Sequence, residues 1–329
     1  MTKYNRLTFE ERVKIETYNN LGLTLMEIAD KLGRHKSTIS REISRYPFSY
    51  RAEKADKIAQ NKARYHNYGR RLDKNERLFK IVYRYLKKHW SPTQISTYLK
   101  MEYSDQPSMQ ISSESIYTYI YLLPRGSLKK ELIGYLRQKK KSRYSRKGTN
   151  DKRGKLPDMI SIEERPKEVE DRSVAGHWEG DLIMGKGHRS AIGSIVERKT
   201  RTVILVKLKA KDATSVRKAF EKELKSLPKQ MKKTMTYDQG HEMAEHKLFT
   251  KNTKMKVFFC HPASPWERGT NENTNMLIRD YFPKGTDFSK ISKKELKRVQ
   301  YELNERPRKT LNWKSPLDVF ENEVLKKCS

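Results

Sequence analysis

Residues 176–208, GHWEGDLIMGKGHRSAIGSIVERKTRTVILVKL, decide the fold of the C-terminal half of the chain. The stretch contains three runs that are rich in β-branched and aromatic side chains: GHWEGDLIM, SAIGSIVE and RTVILVKL. Such runs are typical of β-strands, and the segments between them, GKGHR and RKT, are typical of turns. Because the three runs follow one another so closely, we predict that they pair as an antiparallel meander.

Further strands and helices follow this meander. A fourth and a fifth strand are predicted at TMTYD, residues 234–238, and at KVFFCH, residues 256–261. A helix is predicted before the fourth strand at ATSVRKAFEKELKSL, residues 213–227, and a short helix after it at EMAEHKLF, residues 242–249. Three antiparallel strands followed by helix, strand, helix and strand predict a mixed sheet with helices packed on it.

Residues 7–46 have the pattern of short helices. Thr8 with Glu11, and Thr24 with Glu27, are capping boxes, in which each side chain bonds the backbone NH of the other residue. Gly33 is a typical helix end. The segment RHKSTISREISRY follows after a very short turn, and this arrangement predicts a helix-turn-helix that binds DNA. The alternative is an αα-hairpin whose basic face is only solvated.

The second helix of this motif carries the candidate DNA-binding side chains. If Ile39 and Ile43 face the core, one helical turn apart, the opposite face is polar and basic. We therefore predict that DNA is contacted by this face and by the turn before it, through Arg34, Lys36, Ser37, Thr38, Ser40 and Arg41.

A second helical unit is predicted further along the chain. Ser91 and Gln94 have the spacing of a capping box, with a proline in the first helical turn. Ile116 and Ile120 give a later helix an apolar face for packing. The loop between these helices, MEYSDQPSMQ, is long for a helix-turn-helix, so we describe this unit as helix-turn-helix-like.

The composition narrows the classes of partner. The chain has 329 residues and a formal net charge of +32 at pH 7, with 72 Lys and Arg against 40 Asp and Glu. Such a charge is typical of proteins that bind nucleic acid, although ribosomal-type proteins and membrane-surface binders share it. The two cysteines lie far apart, which argues against a zinc finger and a disulfide framework. Since no secretory signal and no membrane-spanning run is visible, we expect a cytoplasmic protein.

Three acidic side chains are candidates for metal-dependent phosphodiester chemistry. That chemistry commonly uses two divalent cations about 3.5–4 Å apart, which need a few carboxylates converging from rigid elements. Asp181 lies in the first predicted strand, and Asp238 ends the fourth. A third acid is needed from a later helix. Glu272 lies in the stretch PWERGTNENTN, where a helix would place it on one face with Arg279.

Other acids compete with this set. Glu179 lies on the same strand face as Asp181, so it could bind a metal instead or support the residues that do. Glu242 follows Asp238 by four residues and could either cap a helix or reach a metal. Glu267 is expected near the start of a helix, where the helix dipole favours an acid without any chemistry. Spacing alone leaves these alternatives open.

Several long motifs resemble bacterial DDE transposases of the insertion-sequence-thirty family. The two helix-turn-helix segments of that family are similar to LTFEERVKIE with EIADKLGRHKSTISREISR, and to WSPTQIS with ISSESIYTYIY. Its three catalytic segments are similar to RPKEVEDRSVAGHWEGDLIMGKG, TYDQGHEMAEH and SPWERGTNENTNMLIRDYFPKGTDF, and its closing segment to LNERPRKTLNWKSPLDVF. Two departures are visible, because Glu267 stands in place of an expected glutamine and Glu197 in place of a frequent aspartate.

The resemblance implies catalytic residues and chemistry. It points to Asp181, Asp238 and Glu272 as catalytic carboxylates, with 33 residues between the last two, and to Arg279 as the expected basic residue. It implies two Mg²⁺ (or Mn²⁺) ions held by the three acids. It also implies strand cleavage and strand transfer, with water and then a DNA 3′-hydroxyl as nucleophiles. The implied partners are terminal inverted repeats, target DNA and further copies of the chain at paired ends, and no membrane is implied. The implied location is the bacterial cytoplasm, in association with the nucleoid.

The predicted fold class is α+β multidomain, with N-terminal helix-turn-helix modules and a ribonuclease H-like mixed α/β catalytic core. The predicted domains are a helix-turn-helix at 1–50, a second helical domain at 51–136, a basic linker at 137–165 and an integrase-type catalytic domain at 166–329. Within the linker, Arg137–Lys155 carries ten basic residues and one acid, so it would be flexible and would track a phosphate backbone. The predicted function is a DNA transposase. The alternative is a DNA-binding regulator whose α/β domain is a non-catalytic oligomerisation module.

Overall fold

The computed structural model describes residues 6–44, 49–67, 70–136, 157–262 and 264–326. Contacts divide the chain into two compact units, which are residues 1–80 with 114–124, and residues 81–113 with 125–329. This division passes through the segment predicted as a second helical domain, so the predicted domain boundaries remain a prediction. The basic segment Arg137–Lys155 lies outside the described residues. No helix in the described ranges is long and apolar enough to cross a membrane.

Helices make up the N-terminal part of the chain. They are α1 Phe9–Asn20, α2 Leu25–Leu32, α3 Lys36–Ile43, α4 Ala52–Asn67, α5 Arg70–Lys74, α6 Glu76–Lys87, α7 Pro92–Glu102, α8 Ser113–Leu122 and α9 Ser127–Tyr135. The predicted capping boxes are confirmed at Thr8 of α1, Thr24 of α2 and Ser91 of α7. Gly33 ends α2 in the left-handed backbone region, with φ of 58°, as a C-terminal glycine commonly does.

The first three helices pack around a small apolar core. Ile15, Ile28 and Ile39, one from each helix, have no exposed surface. The guanidinium of Arg12, on α1, is also buried and lies 2.7 Å from a carboxylate oxygen of Glu42 on α3. These contacts fix α3 against α1 and α2, so the face of α3 opposite Ile39 has a defined orientation.

The C-terminal unit contains a five-stranded mixed sheet. Its strands are β1 His177–Met184, β2 Ala191–Glu197, β3 Val203–Lys207, β4 Thr234–Tyr237 and β5 Lys256–Phe259, in the order β3-β2-β1-β4-β5. β1 pairs with β2 and β2 with β3 in antiparallel fashion, which confirms the predicted meander. β4 pairs in parallel with both β1 and β5, which confirms the predicted mixed sheet.

Helices cover both faces of this sheet. The helices of this region are α10 Ala213–Leu224, α11 His246–Thr253, α12 Gly269–Tyr281, α13 Lys293–Glu305 and α14 Pro316–Leu325. Alternate residues of β3 point to opposite faces. Val206 packs in one core with Phe220 of α10, whereas Val203 packs in the other core with Leu277 of α12. Burial on both faces explains why the strands have nearly continuous apolar sequences.

The short helix predicted at residues 242–249 begins later than expected. The structure has a 3₁₀ turn at His241–Met243, and α11 starts only at His246. At the junction, Glu245 has non-helical backbone angles. Its carboxylate binds the guanidinium of Arg217 on α10 instead of capping a helix, so a long-range ion pair overrides the local helical pattern.

The turn between α6 and α7 is fixed against the C-terminal end of α12. The hydroxyl of Tyr281, the last residue of α12, donates to the carbonyl oxygen of Lys88 at 2.8 Å. Arg306 is fully buried and donates to the same carbonyl oxygen at 3.1 Å. The side-chain amide of Gln94 donates to the carbonyl oxygen of Pro307 at 2.7 Å. Residues that the sequence assigns to a separate helical unit therefore brace the end of α12.

His177, at the start of β1, should make the chain less stable in mild acid. The buried ring lies 2.9 Å from the Thr234 hydroxyl and 3.1 Å from a carboxylate oxygen of Glu168. Burial lowers the pKa of His177 from 6.5 to about 4, and the nearby Lys233 charge acts in the same direction. The unfolded chain binds the proton at the higher pKa, so stability is complete above about pH 6.5 and falls as the pH drops toward 4.

The measurement is urea unfolding at pH 7 and at pH 4.5. Between these values, the free energy of unfolding of the unchanged chain should fall by about 2 kcal/mol more than that of His177→Gln. Other titrating groups cancel in this difference, because both chains carry them. Equal falls in the two chains would show that protonation of His177 is not linked to unfolding.

Candidate active site

Asp181 and Asp238 lie side by side on the sheet. Glu179 of β1 pairs with Thr236 of the parallel strand β4. Two residues further along, Asp181 and Asp238 therefore stand level on neighbouring strands, whose backbones are about 4.8 Å apart. β4 ends at Tyr237, so Asp238 is the first residue beyond it. The structure brings two of the three predicted acids together.

The guanidinium of Arg268 bridges these two acids. Its Nη1 atom lies 3.3 Å from Asp181 Oδ1, and its Nη2 atom lies 3.1 Å from Asp238 Oδ2. Nη1 also donates to the carbonyl oxygen of Gly180 at 2.8 Å. Sequence reasoning did not identify Arg268 as a site residue. The available signal was its position one helical turn before Glu272.

Asp181 sits in a polar pocket between β1, β2 and α12. Its Oδ2 atom accepts a hydrogen bond from the side-chain amide of Asn275 at 2.7 Å. The Ser194 hydroxyl on β2 donates to the amide oxygen of Asn275 at 2.8 Å and so fixes its orientation. Burial raises the pKa of Asp181, whereas the Arg268 charge acts against this rise and the Asp238 charge adds to it. The pocket therefore favours a positive charge close to Asp181.

The helix that carries Glu272 begins later than predicted. A 3₁₀ turn spans Pro265–Arg268, and α12 starts at Gly269. The backbone of Arg268 is not helical, with φ of −117° and ψ of 35°. This bend places the Arg268 side chain against the strand ends, while α12 itself packs on β1 and β2.

Glu272 lies in the first turn of α12, between residues that contact Asp181. Asn275 follows it by three positions in the same helix, so these two residues share one face of α12, whereas Arg268 precedes the helix. Glu272 is exposed and forms no hydrogen bond or ion pair with the described residues. Within the described ranges, no three His, Cys, Asp or Glu side chains are grouped closely enough to hold a metal. The third predicted acid thus lies on the helix that packs on the strand of Asp181, and it does not contact the aspartate pair.

Arg279, the predicted basic residue, anchors the far end of α12. Its Nη2 atom donates to the carbonyl oxygen of Met184, at the end of β1, at 2.8 Å. Nη1 donates to the carbonyl oxygen of Phe282 at 3.4 Å. Burial lowers the pKa of Arg279. In this structure the guanidinium therefore joins α12 to β1.

Glu179 supports the site and is not placed to bind a metal. Its side chain has no exposed surface, and one carboxylate oxygen pairs with the buried guanidinium of Arg198. The other oxygen accepts a hydrogen bond from the backbone NH of Asn271 at 2.7 Å. The side-chain amide of Asn271 donates to the carbonyl oxygen of Glu179 at 2.9 Å. Glu179 thereby holds the first turn of α12 against β1, which agrees with the supporting role considered above.

Glu267 lies near a helix start, as expected, and it also has a local structural role. Glu267 lies in the 3₁₀ turn before α12, and its carboxylate accepts hydrogen bonds from the backbone NH of His261 at 2.8 Å and from its ring at 2.7 Å. Burial would raise the pKa of Glu267, but these bonds from His261 lower it. Glu267 therefore closes the loop that leads from β5 into α12. Glu242 lies in the turn after Asp238, with its carboxylate close to Gly240.

The donor set at this site fits a divalent cation. Carboxylate oxygens are the ligands that Mg²⁺ and Mn²⁺ prefer in proteins. Asp181 and Asp238 stand close enough to share one guanidinium, which occupies the position of a cation between them. Two adjacent carboxylates repel each other unless a positive charge offsets the repulsion. In this structure the Arg268 guanidinium supplies that positive charge.

The predicted DNA-binding face of α3 is exposed or partly exposed to solvent. Lys36 and Arg41 are exposed, and the side chains of Ser37, Thr38 and Ser40 are partly exposed. Arg34 is different, because its guanidinium forms two hydrogen bonds with the carboxylate of Glu11 on α1, at 2.8 and 3.1 Å. In this structure Arg34 therefore links α1 to the turn before α3.

Two family models and several relatives match this chain. Residues 3–46 match the helix-turn-helix domain family, and residues 171–265 match the integrase core domain family. The transposase for insertion sequence element IS1086 of Cupriavidus metallidurans is 45% identical over 322 residues, which are 97% of this chain and 95% of that relative. Transposase InsI for insertion sequence element IS30A of Escherichia coli is 40% identical over 326 residues, which are 97% of this chain and 84% of that relative.

A solved structure, the catalytic core domain of BIV integrase, aligns with 47% of this chain and 99% of its own length, with a TM-score of 0.37 and 13% identity. The integrase core match confirms the predicted ribonuclease H-like core, and the other family match confirms the N-terminal helix-turn-helix. The relatives are insertion-sequence transposases that align along nearly the whole chain, from the helix-turn-helix through the strands that carry Asp181 and Asp238. The chain therefore belongs to the insertion-sequence-thirty family of transposases.

Proposed function

We propose that this transposase cleaves DNA at the terminal inverted repeats of its element and joins the freed ends to target DNA, with Asp181, Asp238 and Glu272 as ligands of two divalent cations. The observation that carries the proposal is the pair of aspartates on adjacent parallel strands, bridged by Arg268. The helix that bears Glu272 packs on the same strand as Asp181, and the Glu272 side chain is exposed in the first turn of that helix.

The residues of the chain have separate roles in this proposal. Asp181 would supply oxygen ligands from within β1, Asp238 from just beyond the end of β4, and Glu272 from α12. Asn275 orients Asp181 by its hydrogen bond. Proteins of the integrase core family generally use divalent metals. When bound, two Mg²⁺ (or Mn²⁺) ions would activate the attacking oxygen and stabilise charge on the leaving oxygen.

Two transfers at phosphorus account for the reaction. In cleavage, a water oxygen bonds to phosphorus as the phosphorus–O3′ bond breaks, which leaves a 3′-hydroxyl and a 5′-phosphate. In strand transfer, that 3′-hydroxyl attacks a target phosphodiester, and the target O3′ is the leaving group. No covalent bond between protein and DNA is required. Arg279 would help to position the DNA if its guanidinium exchanged a backbone carbonyl for a phosphate oxygen.

Metal-dependent cleavage separates this function from that of a DNA-binding regulator. The purified chain, incubated with an end-labelled duplex of the terminal repeat, should nick and join DNA in Mg²⁺ and should only bind it in EDTA. A regulator with a non-catalytic α/β domain would bind the duplex in both conditions and cut it in neither. We also propose that copies of this chain assemble on paired element ends, and that they do so in the bacterial nucleoid. The substrate of the assay should therefore carry two ends.

Arg41→Ala should weaken binding to the element end. Arg41 is exposed on α3, on the face opposite the buried Ile39. A bidentate base contact is worth about 1–3 kcal/mol, which corresponds to about a 5- to 150-fold rise in Kd. The measurement is a titration of the labelled repeat at fixed salt. Lys57→Ala is the control, because Lys57 is exposed on α4 and pairs with Glu53 at 2.7 Å. Unchanged affinity of Arg41→Ala for both repeat and random DNA would show that this face does not contact DNA.

A further inference from the structure

All four carboxylate oxygens of Asp181 and Asp238 accept hydrogen bonds in this structure. The donors are the backbone NH groups of Leu182 and Gly240, the amide of Asn275 and the guanidinium of Arg268. Three of these four donors are neutral, and the fourth, Arg268, is positively charged. Its planar fork spans one oxygen of each aspartate, a geometry that guanidinium provides and an ammonium does not.

We propose that Arg268 is a positioning residue that holds Asp181 and Asp238 together in the metal-free transposase, and that divalent cations compete with its guanidinium for the same carboxylate oxygens. The inference rests on the proposed function, because it takes the two aspartates as metal ligands. Without a cation between them, the two carboxylates repel each other. A metal that binds both must share or take over the oxygens that now accept from Arg268.

The surroundings of Arg268 allow its side chain to leave while its backbone stays in place. The 3₁₀ turn that precedes α12 is held independently, since Glu267 binds both the backbone and the ring of His261. The Arg268 side chain is 15% exposed, so it borders solvent. Besides the aspartates, it binds the carbonyl oxygen of Gly180. When a metal displaces the Arg268 side chain, the ion pairs that are lost are therefore replaced by bonds from the aspartates to the metal. The displacement does not require α12 to unfold.

Mn²⁺ binding to the full chain without DNA tests this competition directly. Electron paramagnetic resonance or calorimetry gives the Kd of Mn²⁺, independent of catalysis. Arg268→Gln should lower this Kd by about tenfold, because a competing positive charge is removed a few Å from the bound ion. Arg268→Lys keeps the charge but loses the fork, so its Kd should lie between those of the unchanged chain and Arg268→Gln. Arg201→Gln is the matched control, since Arg201 contacts α12 through the Thr270 hydroxyl at 2.7 Å.

Nuclear magnetic resonance gives a second readout on the unchanged chain. With labelled arginine, the Arg268 side-chain signal, assigned through Arg268→Lys, should shift as Mg²⁺ saturates the site. The inference is overturned if Arg268→Gln binds Mn²⁺ no more tightly than the unchanged chain, or if Mg²⁺ leaves the Arg268 signal unmoved. Failure of the proposed function has a different signature. In that case Asp181→Asn would leave Mn²⁺ binding unaltered, with and without the Arg268 change.

Discussion

Asp181→Asn should bind the element end as the unchanged chain does and cleave it at least about 1,000-fold more slowly. Asparagine has the size of aspartate and keeps an oxygen that can accept from the backbone NH of Leu182, which lies 2.9 Å from Asp181 Oδ1. The local fold of β1 should therefore persist. The substitution removes the negative charge that binds a cation, and hence the stabilisation of charge at the reacting phosphate. Single-turnover cleavage in Mg²⁺ and a gel shift in EDTA measure the two properties separately.

The same loss is expected for Asp238→Asn and Glu272→Gln. Glu267→Gln is the matched control, because it removes an acid one residue from Arg268 that binds His261 and not the aspartates. A glutamine oxygen can still accept from the His261 backbone, so cleavage should stay within about threefold of the unchanged rate. If Glu272→Gln cuts and joins DNA at the unchanged rate, the third carboxylate is another residue, and Glu242 is the first to test.

Features that depend on neighbours within a few residues were predictable from the sequence. The capping boxes at Thr8, Thr24 and Ser91 join residues three positions apart, so the pattern contains the whole interaction. The strands were equally predictable, because burial on both faces of the sheet requires long apolar runs. The level positions of Asp181 and Asp238 follow once β1 and β4 are assigned as parallel neighbours.

Contacts between distant residues were not predictable from local pattern. The position of Arg268 four residues before Glu272 gives no indication that its guanidinium meets acids from two different strands. Glu267 shows the same limit, since its partner His261 lies across a loop whose path depends on β5. Glu245 is a third case, where an ion pair with Arg217 delays the start of α11. Family motifs identify candidate residues at the site, but the charges around them come from segments that are distant in the sequence.

Arg198→Gln should lower the free energy of unfolding by about 3–5 kcal/mol, the usual cost of breaking a buried ion pair from one side. Arg198 is buried, and its Nη1 atom pairs with Glu179, which has no exposed surface. Its Nε atom also donates to the carbonyl oxygen of Val169 at 3.0 Å. Without the guanidinium, the Glu179 carboxylate keeps the hydrogen bond from the NH of Asn271 but loses its counter-charge. Since Glu179 anchors the first turn of α12, cleavage should fall as well.

Lys199→Gln provides a control at the adjacent position. Lys199 pairs with Glu323 at 2.8 Å, but its side chain is 28% exposed, and Glu323 keeps a second cation in Lys326 at 3.8 Å, so the loss of Lys199 should cost about 1 kcal/mol. Urea unfolding of the full chain compares the two variants. It is followed by tryptophan fluorescence, to which the buried Trp178 contributes. A small and equal loss in both would mean that the Glu179–Arg198 pair is not a main support of the sheet. Arg198→Gln could also lose much stability and still cleave DNA at temperatures where the variant stays folded. That result would mean that α12 is held in place without Glu179. The remaining anchors would then be Asn275 at Asp181 and Arg279 at the end of β1.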